Sequence, residues 1–142
     1  MNLDDVSVCQ QFVAGSHTLD EAQIKAFAAQ FDPRPFHLDE EAAKATLFKG
    51  LVASGWHTAA ITMRLLVDSG VPLAGGLIGL GGSIKWPRPA RPGDVLTVYE
   101  DITEVMPSKP DRGTIGINAE TRNQRDDVVQ SLTATLLVPR RA

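Results

Sequence analysis

The strongest candidates for chemistry are an aspartate and a histidine, Asp32 and His37, in a segment that reads Asp-Pro-Arg-Pro-Phe-His. The two prolines between them each fix φ, so this segment is stiffer than an ordinary loop. A carboxylate and an imidazole held at one point can orient a water molecule and move a proton at neutral pH. The alternative is structural: Asp32 caps a turn through its own backbone, and His37 is a surface residue near the next helix.

A glycine within an apolar segment, Gly55, is the second candidate. At the start of a buried helix its N–H has no intrahelical acceptor, and the helix dipole adds positive potential there. The amide could therefore bind a carbonyl oxygen that develops negative charge. The alternative is that Ser54 is a helix N-cap and that Gly55 only permits close packing. The nearby His57 is interpreted as a core or interface histidine without a catalytic role.

Composition and motifs argue against several other classes of protein. The formal net charge is −3 and no Lys/Arg cluster is visible, which disfavours nucleic acid as a partner. No apolar run is long enough to cross a bilayer, and the first residues lack the features of a signal peptide. The single cysteine, Cys9, allows no intrachain disulfide, which suits a reducing, cytoplasmic location. We expect no metal site, because no H-x-x-x-H or C-x-x-C pair is present.

The elements that must position these residues are helical in the first half of the chain. Thr18 and Glu21 have the spacing of a capping box and predict a helix start. Pro33 predicts the end of this helix, because proline disfavours the helical region for the residue before it. The spacing i, i+3, i+4, i+7 predicts one apolar stripe, formed by Ile24, Phe27, Ala28 and Phe31.

Two more helices are expected before the strand-rich second half of the chain. Asp39 is the predicted N-cap of a short helix. A longer helix is predicted over 54–68, where the polar face is so narrow that we expect the helix to be largely buried. Gly70 is placed to close it as a C′ residue.

Glycine and β-branched residues dominate the second half and predict strands. The clearest alternation runs along 113–123, and 124–127 is typical of a hairpin loop. The segment 87–94 contains three prolines and predicts a stiff connection. The pattern predicts one α+β domain over 1–142, with an antiparallel sheet wrapped around the long helix. The predicted strands are 8–14, 76–86, 94–106, 113–123 and 128–138.

These residues resemble the MaoC-like dehydratases and the (R)-specific enoyl-CoA hydratases. In that family an Asp-x-Asn-Pro-x-His signature carries the catalytic pair, and residues 32–37 match its aspartate, proline and histidine. The family's central helix opens with an Ile-Ala-His-Gly-Met-like segment. Residues 52–56 fall there, so that Gly55 aligns with the glycine whose amide forms the oxyanion hole. A Pro-Val-x-x-Gly-Asp turn of the family is similar to residues 89–94.

The resemblance implies the hot-dog fold, an antiparallel sheet wrapped on a long helix, in a protein that is usually dimeric. It implies reversible hydration of a trans-2-enoyl thioester, an acyl-CoA, to a 3-hydroxyacyl thioester. Asp32 would act as base on the water, His37 would position it and protonate the α-carbon, and the Gly55 amide would stabilise the enolate oxygen. No cofactor is expected, since coenzyme A enters as part of the substrate.

Three positions depart from the family pattern. Arg34 stands where the family has Asn, Ser54 where it has His, and Phe31 where a glycine is common. Arg34 would hold the loop differently or supply a cation for a CoA phosphate, and Ser54 would alter the mouth of the pocket. The expected apolar wall of the substrate pocket consists of Phe36, Trp56 and Met63, for which core packing is the alternative.

Two rival functions remain open on the sequence alone. The chain could be a hot-dog acyl-CoA thioesterase, although an acid–base pair in a stiffened loop fits a hydratase better. It could also be a non-catalytic acyl-CoA-binding protein in which Arg34 and Ser54 mark the loss of activity. Release of free thiol favours the first rival, and ligand-dependent stabilisation without turnover favours the second.

Overall fold

The structure is a computed structural model that describes residues 1–141. Its five strands are β1 (Gln11–Thr18), β2 (Ile78–Lys85), β3 (Val95–Met106), β4 (Arg112–Arg122) and β5 (Val128–Pro139). Its helices are a 3-10 turn at Leu3–Asp5, then α1 (Glu21–Phe31), α2 (Pro35–Leu38), α3 (Glu40–Lys44) and α4 (Gly55–Ser69). All strand pairs are antiparallel, and the sheet order is β1-β3-β4-β5-β2. This is the α+β arrangement of the hot-dog fold.

The sheet buries one face because its strands alternate. Along β4 one face is buried and the alternating neighbours are partly exposed; the buried face includes Ile115, Ile117, Ala119 and Thr121. Helix α4 packs against β1, β3 and β5 and contributes Ile61, Leu65 and Leu66 to the core. The sheet therefore wraps around α4, as predicted. Among residues 1–141, no helix combines the length and apolarity needed to cross a membrane.

The expectation that α4 is largely buried is wrong. Its outer stripe is exposed, with Trp56 at 61%, Met63 at 50% and Val67 at 61%. These positions follow one another at i, i+7 and i+11, so they share one side of the helix. A sheet covers only one side of a helix, and the apolar residues on the other side remain uncovered in one copy of the chain.

The predicted capping box is also wrong. Thr18 pairs with Val95 as the last residue of β1, so its backbone belongs to the sheet. Asp20 caps α1 instead and accepts a hydrogen bond from the Gln23 amide at 2.8 Å. The end of the predicted stripe differs as well, because Phe31 is 66% exposed and lies outside the core.

Other boundaries differ by a few residues. The predicted strand 8–14 lies at Gln11–Thr18, and the short helix Pro35–Leu38 was not predicted. Asp39 caps α3 as predicted, accepting from the Glu41 amide at 3.0 Å. Gly70 follows α4 as its C-cap with extended backbone, at φ −77°, so the left-handed conformation expected of a C′ glycine is not used.

Candidate active site

Asp32 lies where α1 ends. Its N–H donates to the Ala28 carbonyl at 2.9 Å, which completes the last helical turn, and Pro33 prevents a further turn. The side chain then turns inward and is only 10% exposed. The alternative considered from the sequence was that Asp32 only caps a turn. The buried position of its carboxylate does not fit that alternative.

Three side chains surround the Asp32 carboxylate. Arg34 binds it with two hydrogen bonds, from Nε to Oδ1 at 2.6 Å and from Nη2 to Oδ2 at 2.7 Å. The Ser54 hydroxyl donates to Oδ2 at 2.6 Å, and His37 Nε2 lies 3.4 Å from the same oxygen. The hydrogen bonds from Arg34 are the main reason that the pKa of Asp32 falls to about 2, while burial opposes the shift and Ser54 adds to it. Asp32 is therefore ionised at neutral pH.

His37 is buried, at 3% exposed, and is not a surface residue. It belongs to the single turn α2, which begins at Pro35. Nδ1 lies 2.7 Å from the Val52 carbonyl. Because a carbonyl oxygen only accepts, Nδ1 carries a proton. Nε2 has no hydrogen-bond partner within the described chain and faces Asp32, so it is the nitrogen available to a water molecule or a substrate.

Ser54 and Gly55 connect this pair to α4. Ser54 is the N-cap of α4, accepts from the Trp56 amide at 3.2 Å and donates to Asp32. Gly55 is the first residue of the helix, and its N–H finds no acceptor within residues 1–141. A side-chain Cβ at Gly55 would lie 2.7 Å from the Trp86 ring. The glycine therefore permits close packing with Trp86, and its amide is unpaired within residues 1–141.

A cavity of about 500 Å³ opens beside these groups. His37 and the Gly55 backbone reach it, as do Arg34 and Phe36, two further residues predicted from the sequence. Its lining includes three arginines, Arg34, Arg88 and Arg91, and is otherwise mainly apolar. Its further lining residues are Leu47, Phe48, Val52, Ala53, Thr58, Trp86, Pro87, Pro89, Ala90 and Val129.

The structure places two of the predicted wall residues elsewhere. Trp56 does not line this cavity but packs edge-on against Trp86, with ring centroids 5.2 Å apart. Met63 lines a second, apolar cavity of about 450 Å³ between α4 and β2. Trp86 takes the position expected of Trp56, and its indole N–H donates to Gln130 at 2.9 Å. The one signal for Trp86 in the sequence is its position as an aromatic residue at the end of a predicted strand.

His57 stays apart from this site. It is buried, and its ring stacks on Phe27 with centroids 4.6 Å apart and planes 5° apart. Burial lowers the pKa of His57, so the ring is neutral at neutral pH. The described residues contain no cluster of three or more His, Cys, Asp or Glu side chains that could hold a metal ion.

Residues 7–123 match the family described as "MaoC like domain". The chain is 53% identical to the MaoC-like dehydratase structure from Rhodospirillum rubrum, with a TM-score of 0.97 and coverage of 100% of this chain and 99% of that one. It is 34% identical to the (R)-specific enoyl-CoA hydratase of R. rubrum over 65% of this chain and 63% of the relative. The R-hydratase PhaJ1 from Pseudomonas aeruginosa is 26% identical, with a TM-score of 0.76 and coverage of 99% and 86%.

Proposed function

Since the chain belongs to the MaoC-like dehydratase family, we propose that it adds water reversibly to a trans-2-enoyl thioester to give a 3-hydroxyacyl thioester. The observation that carries the proposal is a convergence at one cavity. His37 and the Gly55 backbone line the cavity, and the Gly55 amide is unpaired within residues 1–141. The ionised Asp32 carboxylate lies 3.4 Å from Nε2 of His37, which has no hydrogen-bond partner in the described chain. Hydration needs a base for water, an acid for the α-carbon and a donor for the thioester oxygen.

In the proposed mechanism Asp32 takes a proton from water as its oxygen bonds to the β-carbon. The electron pair of the double bond moves onto the thioester carbonyl, where the Gly55 amide stabilises the enolate oxygen. Protonated His37 then delivers a proton from Nε2 to the α-carbon. Transfer of the proton from Asp32 to His37, 3.4 Å away, returns both groups to their starting state.

The cavity suits an acyl thioester of a phosphorylated carrier such as coenzyme A. Its lining includes Val52, Trp86 and Val129, which offer an apolar surface to an acyl chain. Arg34 and Arg88 also line the cavity and are exposed, so they offer positive charge to phosphate groups. We propose acyl-CoA as the substrate and no cofactor beyond it.

The uncovered surface of α4 and β2 supports a homodimer. Met63 and Val67 on α4 lie exposed, as does Leu80 on β2, which is an edge strand. An exposed apolar stripe beside an unpaired strand edge is typical of an interface. Leu80→Glu is expected to reduce the molar mass measured by light scattering to that of one chain. Val13→Glu, on the opposite edge strand β1, is the matched control, and monomeric wild-type protein would contradict the proposal.

The experiment that tests the activity follows the loss of enoyl-thioester absorbance with crotonyl-CoA and longer trans-2-enoyl-CoAs. Asp32→Asn should lower kcat by about 10²–10⁴-fold, the usual contribution of an acid–base group. Asp111→Asn is the matched control, because Asp111 is an exposed aspartate paired with Arg112. Turnover by Asp32→Asn at the wild-type rate would refute the role of Asp32.

Two further measurements with the same enoyl-CoAs, of free thiol and of Tm, separate the rival functions. Release of free coenzyme A without loss of the double bond would identify a thioesterase. A rise in Tm with enoyl-CoA but no turnover at any chain length would identify a binding protein.

A further inference from the structure

The oxygen of Asp32 that faces His37 is already fully engaged. Oδ2 accepts from Arg34 Nη2 at 2.7 Å and from Ser54 Oγ at 2.6 Å. Each oxygen of an ionised carboxylate has about two acceptor positions, so both positions of Oδ2 are occupied. A water molecule placed between Oδ2 and His37 Nε2 can donate a hydrogen bond to Oδ2 only after Arg34 or Ser54 leaves that oxygen.

The two donors differ in their freedom to leave. Ser54 is 1% exposed and is fixed as the N-cap of α4, so its departure would also uncap the helix. The Arg34 side chain is 57% exposed. It also lies over the Phe36 ring, 5.1 Å from the centroid, and lines the cavity. Arg34 is therefore the donor that can move while the rest of the site stays in place.

We propose that Arg34 is a removable clamp on Asp32, and that an anionic phosphate of the substrate's carrier draws the guanidinium away when substrate binds. The inference rests on the proposed hydratase function. Arg34 and Arg88 both line the cavity and are exposed, so they offer guanidinium groups to a phosphate that enters it. An arginine that pairs bidentately with a carboxylate can pair in the same geometry with a phosphate. Arg34 thus acts as a positioning residue that couples recognition of the carrier to release of the base.

The test compares thioesters that differ only in their phosphates. Crotonyl-CoA carries the nucleotide phosphates, crotonyl-phosphopantetheine carries one phosphate, and crotonyl-N-acetylcysteamine carries none. Wild-type protein should turn over the neutral thioester poorly. Arg34→Asn should raise kcat on the neutral thioester roughly three- to tenfold, because a partly exposed charged pair is a modest barrier. The same variant should lower kcat/KM on crotonyl-CoA.

The phosphopantetheine thioester separates the two sources of phosphate. Wild-type turnover near that of crotonyl-CoA would assign the effect to the pantetheine phosphate, and turnover near that of the neutral thioester would assign it to the nucleotide. Either result supports the clamp. Arg112→Asn, which removes an exposed arginine paired with Asp111, is the matched control and should change none of these ratios.

A pH profile checks the resting contact between Arg34 and Asp32 in solution. The hydrogen bonds from Arg34 are the largest cause of the lowered pKa of Asp32, so Arg34→Asn should shift the acid limb of kcat/KM for the neutral thioester to higher pH. If Arg34→Asn lowers kcat on all three thioesters by one factor, the clamp is refuted and Arg34 instead holds Asp32 during the reaction. If wild-type protein turns over none of them, the hydratase proposal fails, and the clamp fails with it.

Discussion

Replacing Gly55 by alanine forces a methyl group into the Trp86 indole. The new Cβ would lie 2.7 Å from Cδ2 and Cε2 of the ring and 3.0 Å from Cζ2. Carbon atoms in favourable contact are about 3.5–4.0 Å apart, so the ring must retreat by roughly an ångström. The indole N–H is bound to Gln130, which is fully buried, so this retreat strains or breaks that hydrogen bond.

Two physical effects set the expected cost. Overpacking of this kind destabilises a protein by about 1–3 kcal/mol. If the ring swings away instead, the side-chain oxygen of Gln130 is left without its donor, which costs about 1–3 kcal/mol. The two costs are alternatives, because a ring that has moved no longer clashes. We therefore expect Gly55→Ala to lower the free energy of unfolding by about 1–3 kcal/mol.

The assay is a double-mutant cycle in urea at one protein concentration. Trp86→Leu removes the ring, so Gly55→Ala should cost less than about 0.5 kcal/mol in that background if the two sites are coupled only by this contact. Gly50→Ala is the matched control, since its Cβ would meet only the ends of the Arg91 and Glu40 side chains, at 3.4 and 3.6 Å. An equal cost of Gly55→Ala in both backgrounds would refute the packing argument.

Three further perturbations test the charges and hydrogen bonds of the fold. Ser54→Ala removes both the N-cap of α4 and a donor to Asp32, so it should cost about 0.5–2 kcal/mol in urea unfolding, and Ser54→Thr should recover most of it. The folded pKa of Asp32, about 2, lies below its ordinary 3.8. Its stabilisation is therefore present above pH 3.8 and is lost towards pH 2, so Asp32→Asn should flatten acid unfolding in that range. Burial raises the pKa of Glu100, so this group destabilises the fold as pH rises above 4.5. Glu100→Gln, which still accepts from the Val71 amide, should remove that fall in the free energy of unfolding.

The stiffness of the segment from Asp32 to His37 was predictable because its constraint is local. Pro33 ends α1 and Pro35 begins α2, so the backbone that carries Asp32 and His37 is fixed by nearby residues. The strands were predictable for a similar reason, since a two-residue period with one buried face appears directly in the sequence. The convergence of Asp32 and His37 follows from these local rules together with the resemblance to the family.

The partner of Arg34 could not be predicted in the same way. The long, unbranched stem of the Arg34 side chain can reach many positions. The sequence was therefore equally consistent with an arginine that holds the loop and with one that binds a phosphate. The structure shows that Arg34 holds the loop, with one hydrogen bond to each oxygen of Asp32. Trp86 was missed because its contact with Gly55 joins residues that are distant in sequence, and helical periodicity does not reveal which aromatic residue faces a cavity.

An unpaired buried atom does not by itself identify a reactive group, and the two buried histidines show why. Nε2 of His37 and Nδ1 of His57 both lack hydrogen-bond partners within the described chain. His57 stacks face to face on Phe27, and its burial lowers the pKa of the ring, so His57 is neutral at neutral pH. His37 instead faces an ionised carboxylate beside a cavity, with its other nitrogen held by Val52. The proton held on one nitrogen and the carboxylate beside the other are the reasons that the proposed mechanism assigns proton transfer to His37 and not to His57.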